Sequence, residues 1–121
     1  MNVELLLKVK QHILAEPRRL DMGEWLLQGE PGEILCGSTF PECGTIGCIS
    51  GWAEILSGQG MSGEVVLELT PAQECELFYT TQWTSQAILQ RYCLTETGSP
   101  EYAQAVADYI DYFIEKYREA P

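Results

Sequence analysis

Apolar residues recur three and four positions apart in five segments of the chain, and this is the spacing of amphipathic helices. In the first segment Asn2 is placed to cap the helix, and Pro17 ends it near Glu16 because proline cannot continue a helix. The apolar positions of this helix include Val3, Leu6, Leu7, Ile13 and Leu14. A short apolar patch follows, which we expect to fold back on the first helix: Leu20, Met22, Trp25 and Leu26.

The clearest helix start lies at Thr70. Threonine is a preferred N-cap residue, Pro71 suits the first helical position, and Gln73 completes a capping box. We expect this helix to direct three side chains into the core: Cys75, Leu77 and Phe78.

Two further helices follow in the last third of the chain. Thr84 or Ser85 is expected to cap a helix that ends near Cys93, and Ser99 with Pro100 opens the longest helix. The apolar stripe of the longest helix consists of Tyr102, Ala105, Val106, Tyr109, Ile110, Phe113 and Tyr117.

The remaining helix begins in a segment that crowds two cysteines, three glycines and a tryptophan into eleven residues: Cys43, Gly44, Thr45, Ile46, Gly47, Cys48, Ile49, Ser50, Gly51, Trp52 and Ala53. Thr45 is the predicted N-cap, and the helix is expected to end before Gly58. Glycines inside a helix destabilise it, so their presence indicates that another helix approaches this face closely.

The five helices predict a compact all-α bundle that forms a single domain over residues 1–121. A glycine- and proline-rich loop from Gln28 to Pro41 is the longest irregular stretch. Two short apolar runs, at residues 34–36 and 65–69, are candidates to pair as a small two-stranded ribbon.

The chain is strongly acidic. Eighteen Asp and Glu against seven Lys and Arg give a formal net charge of −11, which opposes direct binding to nucleic acid or to an anionic membrane. We therefore expect a protein or a cation as partner. The absence of a long apolar run and of a basic, apolar amino terminus predicts a cytoplasmic protein that does not enter a membrane.

The five cysteines are expected to be reduced thiols, because their number is odd and the chain is long enough to fold without disulfides. We expect Cys43 and Cys48 to be inert apolar residues of the core. The alternative is a reactive thiol, because a cysteine in the first turn of a helix can have a lowered pKa and be nucleophilic or redox-active. No complete catalytic signature accompanies them, and we expect no catalytic residue or cofactor.

A zinc site is a further alternative for the same cysteines, because zinc takes four thiolate or imidazole ligands. The gaps of six and four residues between the candidates do not match the close pairs of structural zinc sites. The candidate ligands are Cys36, Cys43 and Cys48, with Cys75, Cys93 or His12 as the fourth.

The order of these motifs resembles a family of small uncharacterised proteins of bacteria and their phages. The resemblance covers roughly residues 3–93, and its most specific part is Cys43-Gly44-Thr45-x-x-Cys48-Ile49-x-Gly51-Trp52-Ala53, with Ser50 where alanine is usual. It implies a shared fold and no assigned activity. The phage connection implies an accessory or host-modulating role.

Two classes of function follow from these observations. The favoured one is a non-enzymatic interaction domain that binds a protein partner through the loop from Glu30 to Pro41 and through acidic helix faces, with Asp108, Asp111 and Glu115 as candidate contacts. The alternative is a thiol or zinc site around Cys43 and Cys48. Homodimerisation is suggested by the aromatic surface of the longest helix: Tyr102, Tyr109, Tyr112 and Tyr117.

Overall fold

The computed structural model describes residues 1–22, 26–27 and 46–118. In these ranges the chain forms six α-helices: α1 (Val3–Ala15), α2 (Ile49–Ser57), α3 (Gly63–Val66), α4 (Pro71–Phe78), α5 (Gln86–Cys93) and α6 (Pro100–Arg118). Single 3₁₀ turns occupy Pro17–Arg19 and Thr80–Gln82. The prediction of an all-α domain is confirmed, and none of the helices in the described ranges is long and apolar enough to cross a membrane.

Four predicted N-caps are present at the helix starts. The Asn2 carboxamide oxygen accepts a hydrogen bond from the Leu5 amide at 3.1 Å, and the Thr70 hydroxyl accepts one from the Gln73 amide at 3.2 Å. Ser85 and Ser99 accept equivalent bonds in the first turns of α5 and α6. Each cap satisfies an amide that has no partner within its helix, and this is why the sequence located these starts closely.

Helix α6 forms the centre of the core. Nine of its residues are buried, and the helix packs against both α1 and α5. On the side of α4 and α5, the Tyr109 ring stacks on Trp83, with ring centroids 4.2 Å apart and planes 7° from parallel. The described residues thus enclose one continuous hydrophobic core, with α6 covered along most of its length.

Trp52 joins α2 to the first part of the chain. Its side chain is fully buried, and the indole nitrogen donates a hydrogen bond to the Arg19 carbonyl at 2.9 Å. Its ring also contacts His12 of α1, with centroids 4.2 Å apart. Leu20 is buried as well, so the predicted return of the chain toward the core is confirmed at this position, while Trp25 lies outside the described residues.

The predicted ribbon is wrong in its location. Residues 65 and 66 belong to α3, and residues 34–36 lie outside the described part of the chain. A two-stranded antiparallel pairing exists elsewhere, between β1 (Leu26–Leu27) and β2 (Ile46–Gly47), with Leu26 opposite Gly47. The short helix α3 therefore replaces an expected extended run, and it brings the number of helices in the described ranges to six.

The predicted start of α2 is also wrong. The helix begins at Ile49 with Cys48 as its N-cap residue, because Ile46–Gly47 are extended and pair with β1. Cys43, Gly44 and Thr45 lie outside the described residues. The predicted end is correct, since Gly58 closes the helix in the left-handed conformation with φ of +67°.

One predicted core residue of α4 is at the surface. Leu77 is buried and Phe78 is half-buried, as expected, but Cys75 is exposed. The buried neighbour of Leu77 is instead Glu76, which pairs with a lysine of α6 described below.

Helices α2 and α3 approach each other closely at Ser50 and Gly63. A Cβ atom added to Gly63 would lie 2.7 Å from the Ser50 Cα and 2.5 Å from its carbonyl oxygen, and it would also overlap the hydroxyl. The close approach of another helix that the glycines predicted is therefore found at Ser50, whereas Gly47 lies in β2 and not in the helix. At the other end of α3, the Asn2 amide donates to the Leu67 carbonyl at 2.7 Å and joins this region to α1.

We expect Gly63→Ala to lower the free energy of unfolding by about 2 kcal/mol, because the added methyl group meets backbone atoms that cannot rotate away. Urea denaturation followed by circular dichroism measures the change. Val65→Ala is the matched control on the same helix; its side chain is exposed, and a cost of about 0.5 kcal/mol or less is expected. Equal losses in the two variants would contradict a close approach at residue 63.

Candidate functional site

A cleft of about 450 Å³ opens between α2, α3 and α4. Its first wall is formed by α3 and the residue that precedes it, through Ser62 and Glu64. The second wall is α4 with its last turn, through Glu74, Phe78 and Tyr79. Among the described residues, three from the earlier part of the chain also line the cleft: Met22, Cys48 and Ser50.

The cleft combines apolar surface with negative charge. Phe78 and Met22 are half-buried in the protein, whereas the Tyr79 ring is largely open to solvent. Glu64 and Glu74 stand on different helices, and neither forms an ion pair with a residue in the described ranges. No lysine or arginine is among the described residues of the lining. The cleft is therefore acidic and has an aromatic wall.

Cys48 lies at the cleft as a buried thiol. Burial is the largest influence on it and raises the pKa of the Cys48 thiol, although the backbone amides of Ser50 and Gly51 act in the opposite direction. The hypothesis of a lowered pKa is wrong for Cys48, because desolvation of a thiolate outweighs the helix amides. Cys43, its predicted companion, lies outside the described residues.

The structure brings no set of zinc ligands together in the ranges that it describes. Cys75 and Cys93 are exposed, and no group of three or more His, Cys, Asp or Glu residues there is arranged to hold a metal. Cys36 and Cys43 lie outside those ranges, so a zinc site that uses them stays a prediction.

His12 is a half-buried residue that packs on Trp52. Burial, together with the positive charge of Arg19, lowers the pKa of the imidazole, and Glu16 partly offsets this shift. The Nε2 atom finds no hydrogen-bond partner among the residues that the structure describes. His12 is therefore a neutral aromatic ring that packs on Trp52.

Two of the three predicted partner-binding carboxylates form ion pairs within the chain. Asp111 lies 2.8 Å from the Lys10 ammonium of α1, and Asp108 lies 2.8 Å from the Arg91 guanidinium of α5. Glu115 is exposed and has no ion pair among the described residues. Asp108 and Asp111 thus contribute to the packing of α6 against its neighbours as well as to the surface charge.

Two of the four tyrosines that suggested a homodimer are inside the chain's own core. Tyr102 and Tyr109 are buried, and the Tyr102 hydroxyl accepts a hydrogen bond from the Met22 amide at 2.8 Å. Burial raises the pKa of both phenols. Tyr112 is partly exposed and Tyr117 is half-buried, so homodimerisation stays a prediction and these two tyrosines are what remains of its proposed surface.

The pair of Glu76 and Lys116 was not foreseen from the sequence. The Lys116 ammonium donates to a Glu76 carboxylate oxygen at 2.6 Å, and the hydrogen bond raises the pKa of the Lys116 ammonium. Glu76 is buried between α4 and α6. The two residues are forty positions apart, and no local pattern connects them.

Comparisons with known proteins identify no relative of the chain: no family model, no curated protein and no solved structure matches it. The resemblance to small bacterial and phage proteins therefore stays an expectation that rests on the quoted motif.

We expect Cys48 to react with iodoacetamide at least about tenfold more slowly than Cys75 and Cys93, because its thiol is buried and its pKa is raised. Peptide mass spectrometry after a time course of alkylation measures the three rates separately. In concentrated urea the rates should converge, which controls for local sequence. A Cys48 rate equal to or above that of the exposed thiols would restore the reactive-cysteine hypothesis.

The lowered pKa of His12 predicts a loss of stability in mild acid. In the unfolded chain the His12 imidazole binds a proton near its ordinary pKa of 6.5, whereas in the folded protein it does so only at lower pH. The free energy of unfolding therefore falls as the pH drops below about 6.5. His12→Phe keeps a ring against Trp52 and removes the titration. Urea denaturation from about pH 7.5 to about pH 5.5 should give a shallower decline for this variant than for the wild type; parallel curves would contradict the assignment.

Proposed function

We propose that this chain is a non-enzymatic interaction domain that binds a basic surface of a protein partner. The observation that carries the proposal is the net charge of −11. It is supported by the ion pairs in which lysine and arginine side chains contact carboxylates of the same chain. An accessory role in a phage or another mobile element is the biological setting that the sequence motif suggests.

In the described part of the chain, at least four of the seven lysine and arginine side chains contact other residues of the same chain. Lys10, Arg91 and Lys116 pair with carboxylates of the same chain, and Arg19 lies over the Trp52 ring at 5.2 Å from its centroid. Each ion pair is neutral, so these pairs leave the excess of negative charge unchanged. The field outside the molecule is therefore negative, which favours encounter with a positively charged surface.

Several carboxylates are exposed and have no ion pair in the described part of the chain. Glu101 and Glu115 are such residues at the two ends of α6. Glu115 belongs to the acidic face predicted together with Asp108 and Asp111, and Glu101 extends it, because Glu101 lies two helical turns before Asp108 in α6. Long-range steering and rim contacts of this kind weaken when salt screens them.

The first experiment is affinity capture at low salt, identification of the captured protein by mass spectrometry and titration of the purified partner. We expect the partner to be basic, and we expect the Kd to rise at least about fivefold between about 50 mM and about 500 mM NaCl. The double variant Glu101→Lys/Glu115→Lys should bind more weakly at low salt and should approach the wild type at high salt.

This double variant is preferred to charge reversal at Asp108 or Asp111, because those changes would also break ion pairs that join α6 to α1 and α5. Circular dichroism verifies that both proteins keep the same helix content. An acidic partner, a Kd independent of salt, or equal affinity of the variant and the wild type at low salt would contradict the proposal. Failure to capture any protein at low salt would also count against it.

A further inference from the structure

We infer that the acidic cleft between α2, α3 and α4 is a docking site for an arginine side chain presented by the partner. This inference deepens the proposed function and rests on it: it assigns the part of the surface that recognises the partner and the residue type that enters it. Four properties of the cleft support arginine as its occupant.

The size of the cleft suits one long side chain. Its volume of about 450 Å³ is at the small end of the range of roughly 300–1,000 Å³ that is usual for sites that enclose a small molecule. A side chain and part of its flanking backbone fill such a space, whereas a whole helix face would not enter it.

The charge of the cleft selects a cation. Glu64 approaches it from α3 and Glu74 from α4, so the two carboxylates are held by separate elements. The described lining contains no lysine or arginine that would neutralise them. A guanidinium offers five donors in a rigid fork, and it can bind carboxylates on two sides at once.

The apolar part of the cleft suits the remainder of an arginine side chain. Phe78 and Met22 provide surface for the methylene groups, and the exposed Tyr79 ring provides a face for stacking by the planar guanidinium. Lysine has the same charge but cannot stack or form a forked contact. The geometry therefore favours arginine over lysine.

The cleft also lies beside exposed apolar residues of the same region. Met61 immediately precedes Ser62, and Val65 immediately follows Glu64; both are exposed large hydrophobic side chains. Contacts that surround an anchor residue exclude water from it, and arginine is one of the residue types enriched at such anchors. The arginine is thus expected to belong to a segment that also carries apolar residues.

The test is titration of the ¹⁵N-labelled protein with the peptide acetyl-Ala-Ala-Arg-Ala-Ala-amide, followed by two-dimensional NMR. We expect shift changes concentrated at the residues of the cleft, with weak, saturable binding. The citrulline peptide keeps the shape of arginine and lacks its charge, and it should not bind. The lysine peptide should bind at least about threefold more weakly than the arginine peptide.

The variant Glu64→Gln/Glu74→Gln keeps the size of both side chains and removes their charge. We expect it to weaken binding of the arginine peptide at least about fivefold. Glu16→Gln/Glu96→Gln is the matched control, because it removes the same charge from two exposed positions outside the cleft. It should bind the peptide like the wild type, and the NMR spectra show directly whether each variant is folded.

Several outcomes would overturn the inference. They are shift changes spread over all the acidic faces, equal binding of the citrulline peptide, and equal weakening by the two double variants. Shift changes at the cleft that grow with protein concentration in the absence of peptide would identify a second copy of the chain as the occupant.

Binding measurements with the purified basic partner test this inference and the proposed function separately. If the partner binds the Glu64→Gln/Glu74→Gln variant with unchanged affinity but still loses affinity with salt, the cleft is not its docking site and the interaction domain stands. If the partner shows no dependence on salt or on charge, the proposed function fails as well.

Discussion

The burial of helix α6 is the constraint on which the rest of the structure depends. One continuous stripe of this helix, from Tyr102 to Ile114, is removed from water, and α1 and α5 cover it from two sides. Burial of that much apolar surface is the main source of stability in a chain of this length. The ion pairs of Asp108 and Asp111 lie at the edges of the same contacts and, being partly exposed to solvent, add at most about 1 kcal/mol each to them.

The sequence was sufficient for the elements that are determined locally. Asn2, Thr70 and Ser99 were placed correctly as N-caps, and Ser85 is one of the two candidates predicted for α5. A cap needs only a hydroxyl or carboxamide within three residues of an amide. The predicted start of α2 was wrong because it depends on a contact that is distant in sequence. Ile46–Gly47 pair with Leu26–Leu27, and a partner nineteen to twenty-one positions away leaves no trace in local periodicity.

The candidate site was less accessible to sequence reasoning than the fold. The segment rich in glycine and cysteine was the most distinctive part of the sequence, yet Cys48 is a buried thiol with a raised pKa. Ser50 of the same segment packs closely against Gly63 of α3. The acidic cleft is formed by side chains of separate elements. Glu64 and Glu74 look like ordinary solvated glutamates in the sequence, and only the packing of α3 and α4 brings them to one cavity.

The ion pair of Glu76 and Lys116 accompanies the one predicted core position of α4 that is exposed. Cys75 was expected in the core and is at the surface, whereas a cation from the last turn of α6 allows the Glu76 carboxylate to be buried. The last turn of a helix ordinarily frays. Here its separation from α4 would leave a buried carboxylate without its cation, so we expect backbone amides at the end of α6 to exchange with solvent together with those of α4.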